Sequence, residues 1–539
     1  MELGRQEREG LPHQIQSYIR QLECDLQESR NDHEQLQSRH QALKIRHEHL
    51  KDEYRLLLYK RFGRSSEQEQ SESQQQLFEE AESTADEQAF ENDRISVAEH
   101  TRKKRGRKPI DDSVPRVDIV HDIPEEEKHC GCGHELVRIG EEVSERLQVI
   151  PEQIYAERHI RPKYACHYCE GSGDEENPAV RITAAAPSLI PGSIVTAGLL
   201  AFIATNKFVD HLPLYRQSQR FQRLGITLSR QDMSNWIVWV GTRASPLIQR
   251  FVGQIREGPM IGMDETRLQV LREPGRENTK HSYMWLSRGG VPEAPVCVYW
   301  YHQRRNDEYP RTLLHDYRGY VQVDGYEVYD KVAAVESGII LVGCWAHARR
   351  KFHEASKAGK KTGAAHEGLN RIRKLYQIEK TLRAKQLDDE QFVADRRAKV
   401  EPELESFRRW LEKKQQTVVP SSLLGKSVAY TLGQWDKLIR YLDHAILTPD
   451  NNKVEGSIRP FVVGRKNFLF SGSPRGAHAS CAIYSIIETG KLNGFNPYAY
   501  LHYVFTRMPH IRTPEDWDAL LPSNLDAKTV NSAFLADVR

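Results

Sequence analysis

The amino-acid sequence predicts a multidomain chain with a long N-terminal coiled coil, a small zinc-binding module, a helical region and an α/β core that contains a helical insertion. Three observations predict it: a heptad repeat over the first sixty residues, two tight cysteine pairs, and a change from helical to strand periodicity after Gly258. A length of 539 residues also exceeds what one hydrophobic core supports. With 28% charged and 39% hydrophobic residues, the chain is polar for a globular protein, which favours extended helix or disorder in part of it.

The composition argues against two classes of protein. No apolar run approaches the about 18 residues that cross a membrane, and the start MELGRQEREG lacks the apolar segment of a signal peptide. Eight cysteines are too few for a disulfide scaffold of this length. We therefore expect a cytoplasmic protein, rather than a membrane protein or a small secreted domain.

Residues 1–62 carry the heptad. Six of the seven d positions are aliphatic, and neither Pro nor Gly interrupts residues 14–61. The d positions are Ile15, Leu22, Ser29, Leu36, Leu43, Leu50 and Leu57, and the a positions are Ile19, Leu26, His33, His40, His47 and Tyr54. A helix with one narrow apolar seam buries it against a partner helix, so a coiled-coil dimer is predicted. The alternative is an amphipathic helix that lies on its own domain.

Residues 63–109 form a predicted linker and a basic tract. Between positions 65 and 100 there are eleven acidic residues and one basic residue, a composition typical of disorder. Six basic residues in nine follow at 101–109, where Arg105, Arg107 and Lys108 surround Gly106 and precede a proline. The tract resembles an AT-hook, whose arginines enter a narrow A·T-rich minor groove. The alternative is binding to DNA phosphates without sequence preference.

A zinc-binding module is predicted over residues 110–184. Cys130 and Cys132 form one pair, and Cys166 and Cys169 form a second after 33 intervening residues. Four thiolates in two pairs fit a tetrahedral structural Zn²⁺, with strands predicted at 147–150 and 154–160. Because the first pair is unusually tight, His129 or His134 could replace one of its thiolates. Free buried thiols or a catalytic zinc would also account for the cysteines, although no HExxH or HxE signature accompanies them.

Residues 185–256 have helical periodicity, with helices predicted at 195–208, 214–224 and 230–248. Gly225 provides a turn, and Ser229 is a candidate N-cap for the third helix. This pattern fits a helix-turn-helix that reads DNA, and it fits a packed helical bundle equally well.

Strands are predicted at 260–271, 282–287, 295–302, 319–324 and 339–345, with short helices at 311–317 and 346–352. This order is that of an RNase H-like core, assigned to residues 257–500, with a helical insertion at about 357–446 and a C-terminal tail at 501–539.

Asp264 and Asp324 interrupt apolar strands, where a carboxylate is costly unless it is paired or metal-bound. Each is alternatively a turn former at a strand end. Two such residues at matching strand positions favour Mg²⁺ ligation.

The third candidate carboxylate is Glu455. Asn451 or Asn452 is a candidate cap for a short helix that would place Glu455 in its first turn. Arg459, Arg465 and Lys466 follow it and supply the positive charge that a DNA backbone requires.

Five ordered motifs resemble the insertion-sequence 66 family of bacterial DDE transposases. They are 263–266 (MDET), 323–326 (VDGY), 344–352 (CWAHARRKF), 452–460 (NKVEGSIRP) and 464–467 (GRKN). Residues 211–216, 487–494 and 497–501, together with the cysteine pairs, are similar to flanking parts of that family. The resemblance implies that Asp264, Asp324 and Glu455 form a catalytic triad, and that the helices between the last strand and Glu455 are an insertion into an RNase H-like core.

The resemblance also implies a function. The protein would bind the terminal inverted repeats of its element, cut the ends with metal-activated water and join the 3′-hydroxyls to target DNA. The triad would hold two Mg²⁺ per active site, with Mn²⁺ substituting, while His347, Arg350, Arg459 and Lys466 would neutralise phosphates. It would act in the bacterial cytoplasm, on the nucleoid when bound to DNA, and accessory proteins of the same element are further candidate partners.

Two rival functions differ in chemistry. One is a DNA-binding regulator or architectural protein without catalysis, which an intact triad argues against. The second is a metal-dependent nuclease that cuts without strand joining.

Overall fold

The computed structural model of the protein describes residues 12–62, 154–165, 180–358 and 363–537. The chain divides into two compact units: one is residues 81–186, and the other comprises residues 1–80 and 187–539. Within the described residues, no helix is both long enough and apolar enough to cross a membrane.

The first element is a single helix, α1 (His13–Phe62), of 50 residues. At about 1.5 Å per residue it is about 75 Å long. Most of the apolar a and d side chains whose burial is described are exposed; Leu36 and Leu43, for example, are each 66% exposed, whereas Ile19 is half-buried. Over these positions the seam is largely uncovered, and its pairing with a second helix stays a prediction.

In the unit of residues 81–186, two short strands pair antiparallel, β1 (Lys163–Ala165) and β2 (Val180–Ile182). The sequence predicted a strand over 154–160, and that prediction is wrong, because residues 154–162 belong to no strand in the described part of the chain. The apolar side chains of Ile154, Tyr155 and Ile160 that suggested the strand are exposed. The predicted strand at 147–150 lies outside the described residues.

Four helices precede the sheet: α2 (Ala197–Phe208), α3 (Leu214–Arg223), α4 (Arg230–Arg243) and α5 (Ser245–Glu257). Ser229 caps α4 as predicted, since its hydroxyl accepts the backbone N–H of Asp232 at 3.0 Å. The prediction of one helix through residue 248 is wrong. The helix is interrupted at Ala244, and Pro246 lies in the first turn of α5, where the backbone N–H has no partner within the helix.

The second unit contains a five-stranded mixed sheet. Its strands are β3 (Met260–Gln269), β4 (His281–Gly289), β5 (Val296–His302), β6 (Gly319–Gln322) and β7 (Ile339–Val342). Their order is β5-β4-β3-β6-β7. β4 runs antiparallel to both β3 and β5, whereas β3, β6 and β7 are parallel. The five predicted strands are confirmed, with small changes at their ends.

Helices connect and extend this sheet. α6 (Glu308–Leu314) follows β5, and α7 (Glu327–Val335) joins β6 to β7. The helix predicted at 311–317 therefore begins three residues earlier. It ends before Asp316, whose positive φ of 58° is incompatible with a right-handed helix.

After β7 the chain is helical. The helices are α8 (Trp345–Ala358), α9 (Ala364–Arg383), α10 (Asp389–Thr417), α11 (Leu423–Gly433), α12 (Trp435–Ile439), α13 (Asn452–Phe468), α14 (Pro474–Leu492), α15 (Pro497–Arg507), α16 (Pro514–Asp518) and α17 (Ala527–Asp537). Short 3₁₀ turns lie at Arg440–Leu442, Met508–His510 and Pro522–Asn524.

Two large hydrophobic cores hold this unit together. One is shared by the sheet, helices α2–α5 and the C-terminal helices α14 and α15. The other packs α8 against α9–α12 around Trp345, Phe352 and Phe407. α14 packs in the first core and is also bonded to β5. The hydroxyls of Ser485 and Thr489 accept the backbone N–H groups of Tyr299 and Cys297 at 2.9 and 3.0 Å.

Candidate active site

Asp264 and Asp324 lie next to each other just beyond the point where the pairing of the parallel strands β3 and β6 ends. Asp264 is on β3, and Asp324 is the second residue after β6 ends. The register pairs Gly262 with Gln322, so continuing it by two residues sets Asp264 beside Asp324. Neighbouring strands are about 4.8 Å apart, which brings the two carboxylates within reach of one cation. Asp324 is further fixed by a turn, in which its Oδ1 accepts the N–H of Tyr326 at 2.9 Å.

Glu455 reaches the same edge from the first turn of α13. α13 approaches β3 so closely that a Cβ on Gly262 would lie 2.3 Å from Cγ2 of Val454. Glycine at position 262 is therefore required for this contact. The guanidinium of Arg288 on β4 fixes the helix further by donating to the carbonyl of Lys453 at 2.7 Å and to Oγ of Ser457 at 3.2 Å.

The cap of α13 differs from the prediction. Asn451 occupies the N-cap position but makes no capping hydrogen bond; its amide Nδ2 donates instead to the carbonyl of Met263 on β3 at 3.1 Å. Asp450 accepts the backbone N–H of Asn452 on Oδ1 at 3.1 Å. The helix is also longer than predicted and continues past Pro460 to Phe468. Asn451 thus links the helix that carries Glu455 to the strand that carries Asp264.

The surroundings of Asp264 raise the free-energy cost of ionising its carboxyl group. Burial, followed by the neighbouring charges of Glu265, Asp324 and Glu455, raises the pKa of Asp264 from 3.8 to about 7, although the N–H of Glu265 opposes this shift. A bound cation would remove this repulsion and favour the ionised carboxylates. The electrostatics therefore suit a site for a hard metal ion.

A basic helix faces Glu455 from the other side. On α8, Nη2 of Arg350 lies 3.8 Å from Oε2 of Glu455. Single ligand atoms of Cys344, His347 and Glu455 lie within 4.8 Å of one another. Burial, followed by the charge of Arg350, lowers the pKa of His347, and its Nδ1 is buried without a hydrogen-bond partner in the part of the chain that the structure describes. His347 is therefore a neutral imidazole with a free polar atom beside the carboxylates.

The other predicted binding residues are more scattered. Arg459 and Lys466 are exposed on α13, and Arg465 is half-buried with Nη1 donating to Oγ1 of Thr266 at 3.1 Å. Seven predicted residues lie outside the described part of the chain: Arg105, Arg107, Lys108, Cys130, Cys132, Cys166 and Cys169.

Sequence reasoning missed a buried ion pair beside the three carboxylates. The carboxylate of Glu265 is 3% exposed and accepts Nε of Arg305 at 2.7 Å and the hydroxyl of Tyr329 at 3.1 Å. The guanidinium of Arg305 also lies over the ring of Tyr326, 3.8 Å from its centre. From the sequence alone Glu265 is expected to be a dispensable neighbour of Asp264, but its contacts give it a part in holding the loop after Asp324.

The helices after α8 also reach the site. The ring of Tyr430 on α11 packs against Gly325, where a Cβ would lie 2.9 Å from it. Arg396 of α10, which is fully buried, donates to the carbonyls of Tyr441, His444 and Leu447 and to the carboxylate of Glu379. On the opposite side, Gln322 of β6 donates to the carbonyl of Thr448 at 2.7 Å. The segment that leads to Glu455 is thus held between α10 and the sheet.

We expect Asp264→Asn to stabilise the metal-free protein at high pH. Because the pKa of Asp264 is raised to about 7, the folded chain retains a proton that the unfolded chain loses near pH 3.8. Stability therefore falls as pH rises from about 4 to about 7, by at most about 4 kcal/mol at 1.36 kcal/mol per pKa unit. In chelator, the melting temperature of Asp264→Asn should exceed that of the wild type at pH 8, and the two should converge near pH 4. Asp330→Asn, at a more exposed carboxylate, is the control, and an advantage of Asp264→Asn that does not depend on pH would contradict this expectation.

Comparison with known proteins identifies the class of the chain as transposase. A family model described as "Transposase IS66 family" matches residues 192–479, which include all three carboxylates. Models for the IS66 C-terminal element, for the "zinc-finger binding domain of transposase IS66" and for the "Transposase C of IS166 homeodomain" match residues 485–523, 127–170 and 49–119. The chain belongs to the IS66 transposase family, which confirms the resemblance seen in the motifs. It is a multidomain protein with a zinc-finger region, and DNA is its partner.

Similar proteins are known from Sinorhizobium fredii (strain NBRC 101917 / NGR234). The uncharacterized protein y4jD is 34% identical over 436 residues, which cover 78% of this chain and 82% of that protein. The uncharacterized protein y4qI is 31% identical over 449 residues, or 80% of each chain. The similarity extends over most of the chain and supports the family assignment.

Proposed function

We propose that this protein is a DDE transposase, with Asp264, Asp324 and Glu455 as its catalytic triad. It binds the terminal inverted repeats of its element, cuts the ends and joins the resulting 3′-hydroxyls to target DNA by two-metal phosphoryl transfer. The observation that carries this proposal is the convergence of three carboxylates, from positions as far apart as 264 and 455, on the edge of one sheet.

The strand order supports an RNase H-like core for residues 257–500. The antiparallel strands β5-β4-β3 continue into two strands parallel to β3. Asp264 lies within β3, beyond its pairing with β6, and Asp324 follows β6. Helices α9–α12 would then form an insertion between β7 and Glu455. The carboxylates would lie near the strand ends at which open α/β sheets bind ligands.

The donor set fits Mg²⁺ or Mn²⁺. Three carboxylates supply the hard oxygens that these ions prefer, and the pKa of Asp264 is raised first by burial and then by the neighbouring negative charges. Cys344 is a poor ligand for such ions, because burial raises its thiol pKa to about 12. Two divalent ions held by Asp264, Asp324 and Glu455 would activate the attacking water or 3′-hydroxyl and stabilise the leaving oxygen.

Residues of α8 are placed to bind the scissile phosphate. Arg350 is the cation that pairs with Glu455 within the described residues, and its exposed guanidinium can turn toward a phosphate. Protonated on one ring nitrogen, neutral His347 could donate a hydrogen bond to a phosphate oxygen. Arg459 and Lys466 extend the positive surface along α13. These groups orient DNA and neutralise charge, which is most of what phosphoryl transfer asks of the protein.

The segments before the sheet would bring two DNA ends together. The exposed seam of α1 supports a parallel coiled-coil dimer, which would present two catalytic units to the two ends of one element. The basic tract at 101–109 and the zinc-finger region would hold the DNA, and α3 and α4 are a candidate helix-turn-helix. Accessory proteins encoded beside the gene are further candidate partners.

A strand-joining assay tests the proposal. Purified protein is incubated with DNA that carries the inverted repeats flanking its reading frame and with a supercoiled target plasmid, with Mg²⁺ or with chelator. Joined products that require Mg²⁺ support a transposase. Cut ends without joining would favour the nuclease, and binding without either reaction would favour the regulator.

We expect the zinc module to be required for folding and not for the chemistry. Cys166→Ser and Cys169→Ser should each lose one equivalent of zinc and unfold residues 110–180, because a closed four-ligand site stabilises its fold directly. Zinc content by atomic absorption and limited proteolysis measure the two effects. Cys24→Ser, at an exposed cysteine on α1, is the matched control and should retain zinc. Absence of zinc from reduced wild-type protein would overturn the prediction.

A further inference from the structure

We propose that a cleft next to the triad, the arginine pocket, holds a nucleotide of the DNA strand within about two nucleotides of the bond that is cut. The pocket is lined by Glu265, Thr266, Arg267, Tyr283, Arg305 and Arg465 and has a volume of about 320 Å³. This proposal rests on the proposed function and deepens it, because it assigns part of the DNA-binding surface.

The position of the pocket follows from β3. Side chains alternate along a strand, so Asp264 and Thr266 lie on one face of β3, about 7 Å apart at 3.3–3.4 Å per residue. Glu265 and Arg267 belong to the opposite face and line the pocket together with Thr266 around the open edge of the strand. One strand of duplex DNA carries a phosphate about every 3.4 Å along its axis. A DNA strand with its scissile phosphate at Asp264 would therefore place a nearby phosphate at the pocket.

The edge of the sheet is open at this point. β3 pairs with β6 over Met260–Gly262, and the next strand pairing on that side within the described residues is a bridge between Val270 and Ser471. The residues between, including Thr266 and Arg267, have no strand partner there. α13 closes the far wall, with Arg465 bonded to Thr266. An extended strand of nucleic acid can reach this opening from solvent.

The pocket has an excess of positive charge, which favours binding of an anion. Three guanidinium groups line it, while Glu265 is its one carboxylate and is already bound by Arg305. Arg465 has a hydroxyl as its hydrogen-bond partner, and Arg267 has no ion pair within the described part of the chain. Two positive charges are therefore left without a counterion, and a phosphate is the anion that matches arginine's paired donors.

The remaining lining favours a nucleotide over a simple anion. The ring of Tyr283, which pairs with Arg267 across β3 and β4, offers an aromatic face for a sugar or base. The volume lies near the lower bound of about 300 Å³ for small-molecule sites, which suits one nucleotide. In the proposed arrangement the phosphate binds Arg267 and Arg465, and the sugar or base packs against Tyr283.

Methylphosphonate scanning tests the pocket. Duplexes with the terminal repeat carry a single neutral methylphosphonate at successive positions around the cleavage site. Joining by the wild type should fall about tenfold or more for one position within two nucleotides of the cut. Arg267→Gln and Arg465→Gln should show a similar loss on unmodified DNA and no further loss on the modified duplex, since the contact is already missing. Arg304→Gln, at an exposed arginine outside the pocket, should behave as wild type.

A binding measurement keeps the inference testable without chemistry. In Ca²⁺, the salt dependence of end binding should decrease by about one unit of slope in each pocket variant, and not in Arg304→Gln. Wild-type protein that binds but never joins DNA would contradict the proposed function. The difference in salt-dependence slope between the wild type and the pocket variants would still test whether the pocket binds DNA. Unchanged slopes, or additive losses on the modified duplex in variants with wild-type melting temperatures, would overturn the pocket.

Discussion

Asp264→Asn, Asp324→Asn and Glu455→Gln are each expected to reduce cutting and strand joining more than about a thousandfold while leaving binding to the DNA ends within about twofold. Each amide keeps the shape of the acid but removes the negative charge that holds a divalent cation. The loss should be similar for all three, because residues that act as one metal centre do not contribute additively. Gel assays of cut and joined products, beside an end-binding assay, measure both quantities.

The matched control is Asp330→Asn. Asp330 is a carboxylate on α7, half-exposed and paired with Lys437 at 2.6 Å, and its loss should leave joining unchanged. Full activity in any triad variant would remove that residue from the site. Glu265→Gln is a separate case, since breaking the ion pair with Arg305 should lower stability as well as activity. The melting temperature of Glu265→Gln should therefore be measured together with its joining rate, so that a loss of stability can be distinguished from a loss of activity.

Arg396→Met should destabilise the protein by about 3–5 kcal/mol, because it removes a fully buried guanidinium that donates to Glu379 and to three backbone carbonyls. Arg383 remains as a second donor to Glu379 and to the carbonyl of Leu447. For a domain of this size the melting temperature should fall by roughly 6–20 °C. Activity below the new midpoint should fall as well, since the freed segment leads directly to Glu455. Thermal unfolding followed by circular dichroism, and joining rates at low temperature, measure the two effects.

Arg397→Met is the control for this change. Its guanidinium is 47% exposed and pairs with Asp443 at 3.2 Å, so the loss should be about 1 kcal/mol or less. If Arg396→Met melts like Arg397→Met, Arg396 does not anchor the segment. Unchanged joining in a destabilised Arg396→Met would confine its role to folding.

Much of the sheet could be predicted from the sequence, because each strand is a local apolar run bounded by turn residues. Asp264 and Asp324 could be singled out for the same reason: each is a charge in an apolar run. Their juxtaposition then follows from pairing two parallel strands in register. Glu455 is different, since its candidate helix cap and basic neighbours single it out but no local pattern relates it to β3, and its place in a triad is implied by the family resemblance.

The contacts that hold the site could not be predicted. Glu265 and Arg305 are 40 residues apart, and Asn451 reaches Met263 across 188 positions. Asparagine is a common helix-cap residue, and nothing in the local sequence indicates that the side chain of Asn451 would form a hydrogen bond with a strand. The strand expected at 154–160 failed for a related reason, because alternating apolar residues form a strand only where a neighbouring strand pairs with them.

The position of α14 sets a condition on synthesis of the protein. Thr489 completes the hydrogen bonding of Cys297 on the sheet edge from 192 residues further along the chain. At about 5–20 residues per second, that edge waits about 10–40 s on the ribosome before its partner helix is made. During this interval β5 is an unpaired edge open to misassociation, and the position that Glu455 will occupy is empty for most of it. A nascent or prematurely terminated chain that stops before Glu455 therefore carries both aspartates but not the third carboxylate of the proposed triad, so we expect the proposed cutting of DNA only after α13 has been made.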